Sequence, residues 1–156
     1  MLTATEFELL GKLAEEIRND LLTLFAGDLD DDNWRFFDEQ FSGACAIVSW
    51  LLIERAREHG IELFLMGTRN HCWTETAYGT VVDPTFAQFA TPGDDTETYI
   101  GEHRQLIHEF HGEKREPYCG RALKKELRMW PIEQSPFSEL NEPILREYLG
   151  RNSLAA

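Results

Sequence analysis

The sequence predicts an α+β fold, with an antiparallel sheet of three or more strands, one helix packed on it and further helices around them. Three observations carry that expectation. Apolar residues recur at helical spacing over the first 25 residues. A second apolar-rich stretch fills residues 44–60 and closes on basic residues and Gly60. Residues 61–85 then break into three short runs rich in apolar, β-branched and aromatic side chains, parted by Gly, Asn or Tyr-Gly.

The elements follow in order. Thr3 and Glu6 have capping-box spacing, and Phe7, Leu10, Leu13, Ile17, Leu21 and Leu24 mark one helix face, so a helix is expected from about residue 4 to 25, closed by Gly27. Ser42 and Gly43 precede the second helix, which places Cys45 in its first turn. The strands are read from residues 61–67, 70–76 and 79–85. Side chains alternate along a strand, so His71, Trp73 and Glu75 share a face and Cys72 points to the other. Tyr78 and Gly79 reverse the chain and bring the His71 strand beside the one that ends at Asp83 and Pro84. After a turn at residues 91–96, Tyr99, Ile100, His103, Leu106, Ile107 and Phe110 suggest another helix face. Residues 121–130 read as a basic helix stopped by Pro131, and Pro143 opens a last helix up to Gly150. The expectation is a single domain over residues 1–150, with 151–156 a frayed end.

Composition excludes several classes of function. At 156 residues, 42% apolar and 12% aromatic, the chain can bury a real core. No apolar run approaches the length of a membrane span, and the acidic, amphipathic start is unlike a signal peptide, so no membrane role and a cytoplasmic location are expected. Cys45, Cys72 and Cys119 are odd in number and scattered, as suits thiols in a reducing compartment. A net charge of -13 repels phosphate backbones; it excludes nucleic acid and favours a basic protein or peptide partner, an attraction that salt weakens. No metal or other cofactor is expected. Asp28, Asp30, Asp32 and Glu39 fall at calcium-loop positions, but Asn33 stands where the turn needs Gly and Arg35 where an apolar residue packs. His103, His108, His111 and Cys119 lack ligand spacing for zinc.

Cys45, His71 and Asp83 follow one another in the order of a thiol nucleophile, its base and the carboxylate that orients the base. A helix N-terminus offers unpaired N–H groups and a positive dipole end, which favour a thiolate, and Gly43 leaves room for a substrate backbone. Each residue also has a plain structural reading: a buried cysteine, a strand histidine, an aspartate forming a turn before proline.

Residues 41–89 carry three motifs: G-x-C at a helix start, H-x-W-x-E at His71, Trp73 and Glu75, and V-D-P-T from Val82, Asp83, Pro84 and Thr85. In this order they resemble transglutaminase-like proteins of the papain-like superfamily, and the ending D-P-T-x-x-Q-F is similar to that of papain-like deamidases among bacterial toxins and effectors. The resemblance implies a papain-like core and a Cys-His-Asp triad for acyl transfer on amide bonds of a protein or peptide. Cys45 is then the nucleophile, His71 the base and acid, and Asp83 the orienting group. Gln88 matches the deamidases' Gln five residues past the Asp. Gln40 stands near the oxyanion-hole Gln of papain-like peptidases, one residue closer to the cysteine. Gln40, Gln88 and Trp73 are therefore candidates for oxyanion or substrate binding. Glutamine deamidation is the favoured outcome; peptide hydrolysis and transglutamination use the same triad. An effector would be delivered into a host cell. The rival expectation is a catalytically inactive, acidic protein-binding module.

Overall fold

The computed structural model describes residues 1–25, 45–68, 71–89, 96–102 and 116–117, with the backbone alone at 21–25 and 116–117. Its first element, helix α1 (Ala4–Phe25), begins at the expected capping box. The Thr3 N–H donates to Glu6 Oε2 at 2.7 Å, and the Glu6 N–H donates to Thr3 Oγ1 at 3.2 Å, so two donors of the first turn are satisfied. Leu10, Leu13, Ala14 and Ile17 form the buried stripe. Phe7, which the spacing puts on the same face one turn earlier, is 48% exposed and so lies outside the buried stripe. Leu2 and Leu9 pack there instead.

Helix α2 (Cys45–Glu58) is buried at every residue from Ala46 to Ile53. One side meets α1 and another meets the sheet, so the fold stacks α1, α2 and sheet in layers around a core of Leu10, Ile17, Val48, Leu52, Leu65 and Val82. Each of the large aliphatic side chains contributes roughly 1.5–3 kcal/mol by leaving water. Arg55 fastens the helix pair from the rim, on Glu16 at 3.6 Å and Asp20 at 2.9 Å. The helix stops as Gly60 predicts. Gly60 has φ +76°, its N–H donates to the Arg57 carbonyl, and the Ile61 N–H donates to that of Ala56, each at 3.0 Å.

The sheet comprises β1 (Phe64–Gly67), β2 (Cys72–Glu75), β3 (Val81–Asp83), β4 (Tyr99–Gly101) and β5 (Glu116–Pro117), ordered β4-β3-β2-β1-β5 with every pairing antiparallel. The three expected strands are β1, β2 and β3. The β2–β3 reversal needs Gly79, whose φ is +82°, and closes with the Thr76 N–H on the Thr80 carbonyl at 3.0 Å. Alternation sorts the faces. Leu65, Cys72, Val82 and Ile100 look toward α2, while Met66, Trp73, Val81 and Tyr99 form a second apolar cluster with Phe86.

The fourth strand overturns one expectation. The spacing of Tyr99 and Ile100 predicts a helix face, yet they pair with β3 as Asp83↔Tyr99 and Val82↔Ile100. The open edge of β3 satisfies their backbone groups, and both residue types suit a strand. His103, Leu106, Ile107 and Phe110 from the same expectation lie outside the described residues, as do Gly27, the acidic loop from Asp28 to Glu39, His108, His111, Cys119 and the two expected C-terminal helices. Among the described residues no helix is long and apolar enough to cross a membrane.

Candidate active site

Cys45 is the first residue of α2 and is only partly exposed. Its side chain meets the sheet where β2 begins. There the Cys72 thiol, on the strand face turned to α2, donates to Cys45 Sγ at 3.5 Å. His71 stands immediately before β2, at the base of the turn from β1, where its carbonyl accepts the Thr68 N–H at 2.8 Å. The Nε2–H of His71 donates to Asp83 Oδ2 at 2.8 Å, and neither side chain is exposed to solvent. Nδ1 is then the ring nitrogen left to serve Cys45, whose influence is among those that raise His71. Helix start, strand entry and strand end thus bring Cys45, His71 and Asp83 together.

The imidazole has two aromatic walls. Trp73 stacks on it with centroids 5.8 Å apart, and Phe89 meets it edge-on at 4.6 Å. The carboxylate is held as firmly. Asp83 Oδ1 accepts the Thr85 N–H at 3.0 Å and the Thr85 hydroxyl at 3.2 Å, so the aspartate forms its turn before proline and orients His71 at once. Gln88 Nε2 donates to Thr85 Oγ1 at 2.9 Å and to the Thr85 carbonyl at 3.0 Å. An amide nitrogen can only donate, so the threonine hydroxyl must point its own proton at Asp83. Behind this turn, buried Arg18 of α1 donates to the Pro84 carbonyl at 2.8 Å and to Thr98 Oγ1, and pairs with Glu97 at 3.0 Å.

These contacts set the charges. The hydrogen bond from the Cys72 thiol holds Cys45 well below the ordinary thiol range, and hydrogen bonding and charge from His71 add to it. Burial pushes the other way and loses. For His71, burial favours the neutral ring, but the charge and hydrogen bond of Asp83, together with those of Cys45, prevail and raise it from 6.5 to about 9. Both shifts favour the thiolate–imidazolium form of the pair over the neutral thiol and imidazole. A nucleophile that is already ionised beside a proton donor is what attack on a carbonyl and protonation of a leaving group require.

The remaining sequence candidates fall differently. Trp73 is fully buried with its indole N–H on Glu75 Oε1 at 2.9 Å, which places it as a wall of the histidine. Gln88 commits its carboxamide nitrogen to Thr85. Gln40 and Gly43 lie outside the described residues. Four roles are not read from the sequence: Cys72 as partner of the thiol, Arg18 behind the turn, and, within the D-P-T-x-x-Q-F motif, Thr85 on Asp83 and Phe89 against His71. The D-x-T spacing is itself a turn signal that could have found Thr85, and an arginine one residue after Ile17, beside an apolar stripe, hints at a buried acceptor. Nothing local to Cys72 or Phe89 announces their contacts.

Compared with protein-family models, with curated proteins and with solved structures, the chain matches none.

Proposed function

We propose that the protein is a cysteine-dependent acyl-transfer enzyme with a transglutaminase-like, papain-like core, acting on amide bonds of a protein or peptide, and that its reaction is glutamine deamidation. The observation that carries the reading is the buried His71–Asp83 pair at 2.8 Å, with Cys45 at the helix start electrostatically coupled to the same imidazole. The Cys45 thiolate adds to the carboxamide carbon, and the backbone N–H of Cys45, at the helix start, is a donor for the oxyanion, with Gln40 or Gln88 as the side-chain candidate. His71 gives its proton to the departing nitrogen, ammonia leaves and a thioester remains. Water, deprotonated by His71, then attacks the thioester and returns the thiolate, so the side-chain amide becomes a carboxylate. An amine in place of water gives transglutamination, and a backbone amide in place of the side chain gives peptide hydrolysis. The excess of acidic residues suits a basic substrate surface, and reduced thiols suit the cytosol of the producing or a host cell.

The test is labelling with a thiol-reactive glutamine-analogue probe, followed by intact-mass analysis of basic protein substrates. Labelling that disappears in Cys45→Ala, with a gain of about one dalton per site on substrate, is the expected result. Equal labelling of both proteins would leave the acidic binding module as the better reading. Fragments without the one-dalton gain would transfer the assignment to a peptidase.

A further inference from the structure

The acyl-transfer reading asks of Cys72 only a hydrogen bond, which a backbone amide would supply equally well. What the structure offers instead is a second sulfur 3.5 Å from the first, carried on a different element. Their exposure differs in a way that orders events. Cys45 is partly exposed, whereas Cys72 is 1% exposed, closed in by α2 and the sheet. An oxidant arriving from solvent meets Cys45 first and finds Cys72 waiting behind it.

We propose that Cys72 is a resolving thiol for Cys45, so that hydroperoxides drive the pair into a reversible Cys45–Cys72 disulfide that takes the nucleophile out of use. In the first step the Cys45 sulfur attacks one peroxide oxygen; the S–O bond forms as the O–O bond breaks. Sulfur gives up two electrons, and the peroxide leaves as alcohol or water after taking a proton, for which the His71 imidazolium is the adjacent donor. In the second step the Cys72 sulfur attacks the sulfenic sulfur of Cys45. The S–S bond forms as the S–O bond breaks, and hydroxide leaves with the Cys72 proton as water. A dithiol reductant reverses the sequence by exchange, restoring both thiols and becoming a disulfide itself.

The geometry favours this course. A disulfide needs the sulfurs at about 2.05 Å, so the gap must close by only about 1.5 Å. One partner is the first residue of a helix, where one end of the chain segment is least restrained. His71 and Cys72 are consecutive, so the group that moves protons and the resolving sulfur enter the site on one strand. The pairing also protects: a sulfenic acid captured at once does not proceed to the irreversible sulfinic state.

Formation of the bond is independent of the reaction proposed above; its silencing effect rests on that reading. The experiment uses the full chain in a Cys119→Ser background. The protein is treated with near-stoichiometric hydrogen peroxide, denatured, alkylated and mapped by mass spectrometry. The expected product is about two daltons lighter, contains the cross-linked Cys45 and Cys72 peptides, and reverts with dithiothreitol. Alkylation of native Cys45 should fall roughly tenfold or more on oxidation and recover on reduction. In Cys72→Ser the same treatment should leave a sulfenic acid that a dimedone probe traps and that advances to sulfinic acid. Sulfinic Cys45 with an unmodified Cys72 thiol in the parent protein would overturn the proposal, whatever the enzymatic assay shows. A disulfide that forms while glutamine turnover is absent would uphold it and count against the acyl-transfer reading alone.

Discussion

The reactivity of Cys45 is governed by Cys72 before it is governed by His71, since the thiol's hydrogen bond is the largest influence that lowers it. Iodoacetamide should therefore alkylate Cys45 well below the free-thiol value of about 8.5, and Cys72→Ala should raise the pH at which half-maximal rate is reached. Activity should follow a bell, with the acid limb at protonation of the thiolate and the alkaline limb near about 9, where His71 loses its proton. In Asp83→Asn the charge that raises His71 is gone while burial remains, so the alkaline limb moves down. Rates measured across pH for the three proteins check both limbs. Thr85→Val tests the orientation of Asp83. It removes the hydroxyl that links Gln88 to the carboxylate but leaves the backbone N–H in place, so turnover should drop roughly ten- to a hundredfold with the fold retained in circular dichroism. Cys45, His71 and Asp83 were legible because helix punctuation and strand alternation place each one separately. The Cys72 contact was not. Periodicity correctly sends Cys72 to the opposite face from Trp73, but it does not say which part of α2 crosses above that face.

Among the elements, α2 carries one local flaw. The hydroxyl of Ser49 is buried with no hydrogen-bond partner among the described residues. Leaving such a group unpaired costs about 1–3 kcal/mol, so Ser49→Ala should raise the melting temperature, by roughly 2–4 °C per kcal/mol recovered. A lower melting temperature would show that the hydroxyl has a partner after all. Arg18 predicts the opposite sign. Arg18→Met keeps an unbranched side chain but strips donors from the Pro84 carbonyl and Thr98, and leaves Glu97 to solvent, which reaches two thirds of it. A loss of roughly 2–3 kcal/mol in urea unfolding is expected, with a fall in activity because Pro84 adjoins Asp83. The first two helices and the first three strands could be read from caps, Gly60 and alternation. Strand β4 could not, because Tyr99 and Ile100 fit either period and the edge of β3 decided between them. Long-range pairing overrode local spacing.

At the scale of the whole molecule, the ion pair makes stability depend on pH in two opposing ways. His71 is raised from 6.5 to about 9, so its contribution is fully present below 6.5 and is lost as pH rises through about 9. Cys45 is depressed, so its contribution is present above the free-thiol value of about 8.5 and is lost as pH falls through its lowered pKa. Where the two windows overlap, below about 8.5, the folded protein holds an extra proton at His71 and lacks one at Cys45 relative to the unfolded chain, so the two slopes oppose each other. Urea midpoints should vary less with pH in the parent than in Cys45→Ser, where the histidine acts alone and the midpoint declines as pH rises through about 9. The layered order could be inferred from the sequence only in kind: apolar stripes require partners but do not state that α2 lies between α1 and the sheet. That position leaves the segment from Ala46 to Ile53 without a solvent-facing residue. Substitution tolerance along it should therefore lack the usual 3.6-residue rhythm. A saturation library selected for folding should show one unbroken intolerant block directly after the nucleophile, a stretch of sequence with almost no room for neutral drift.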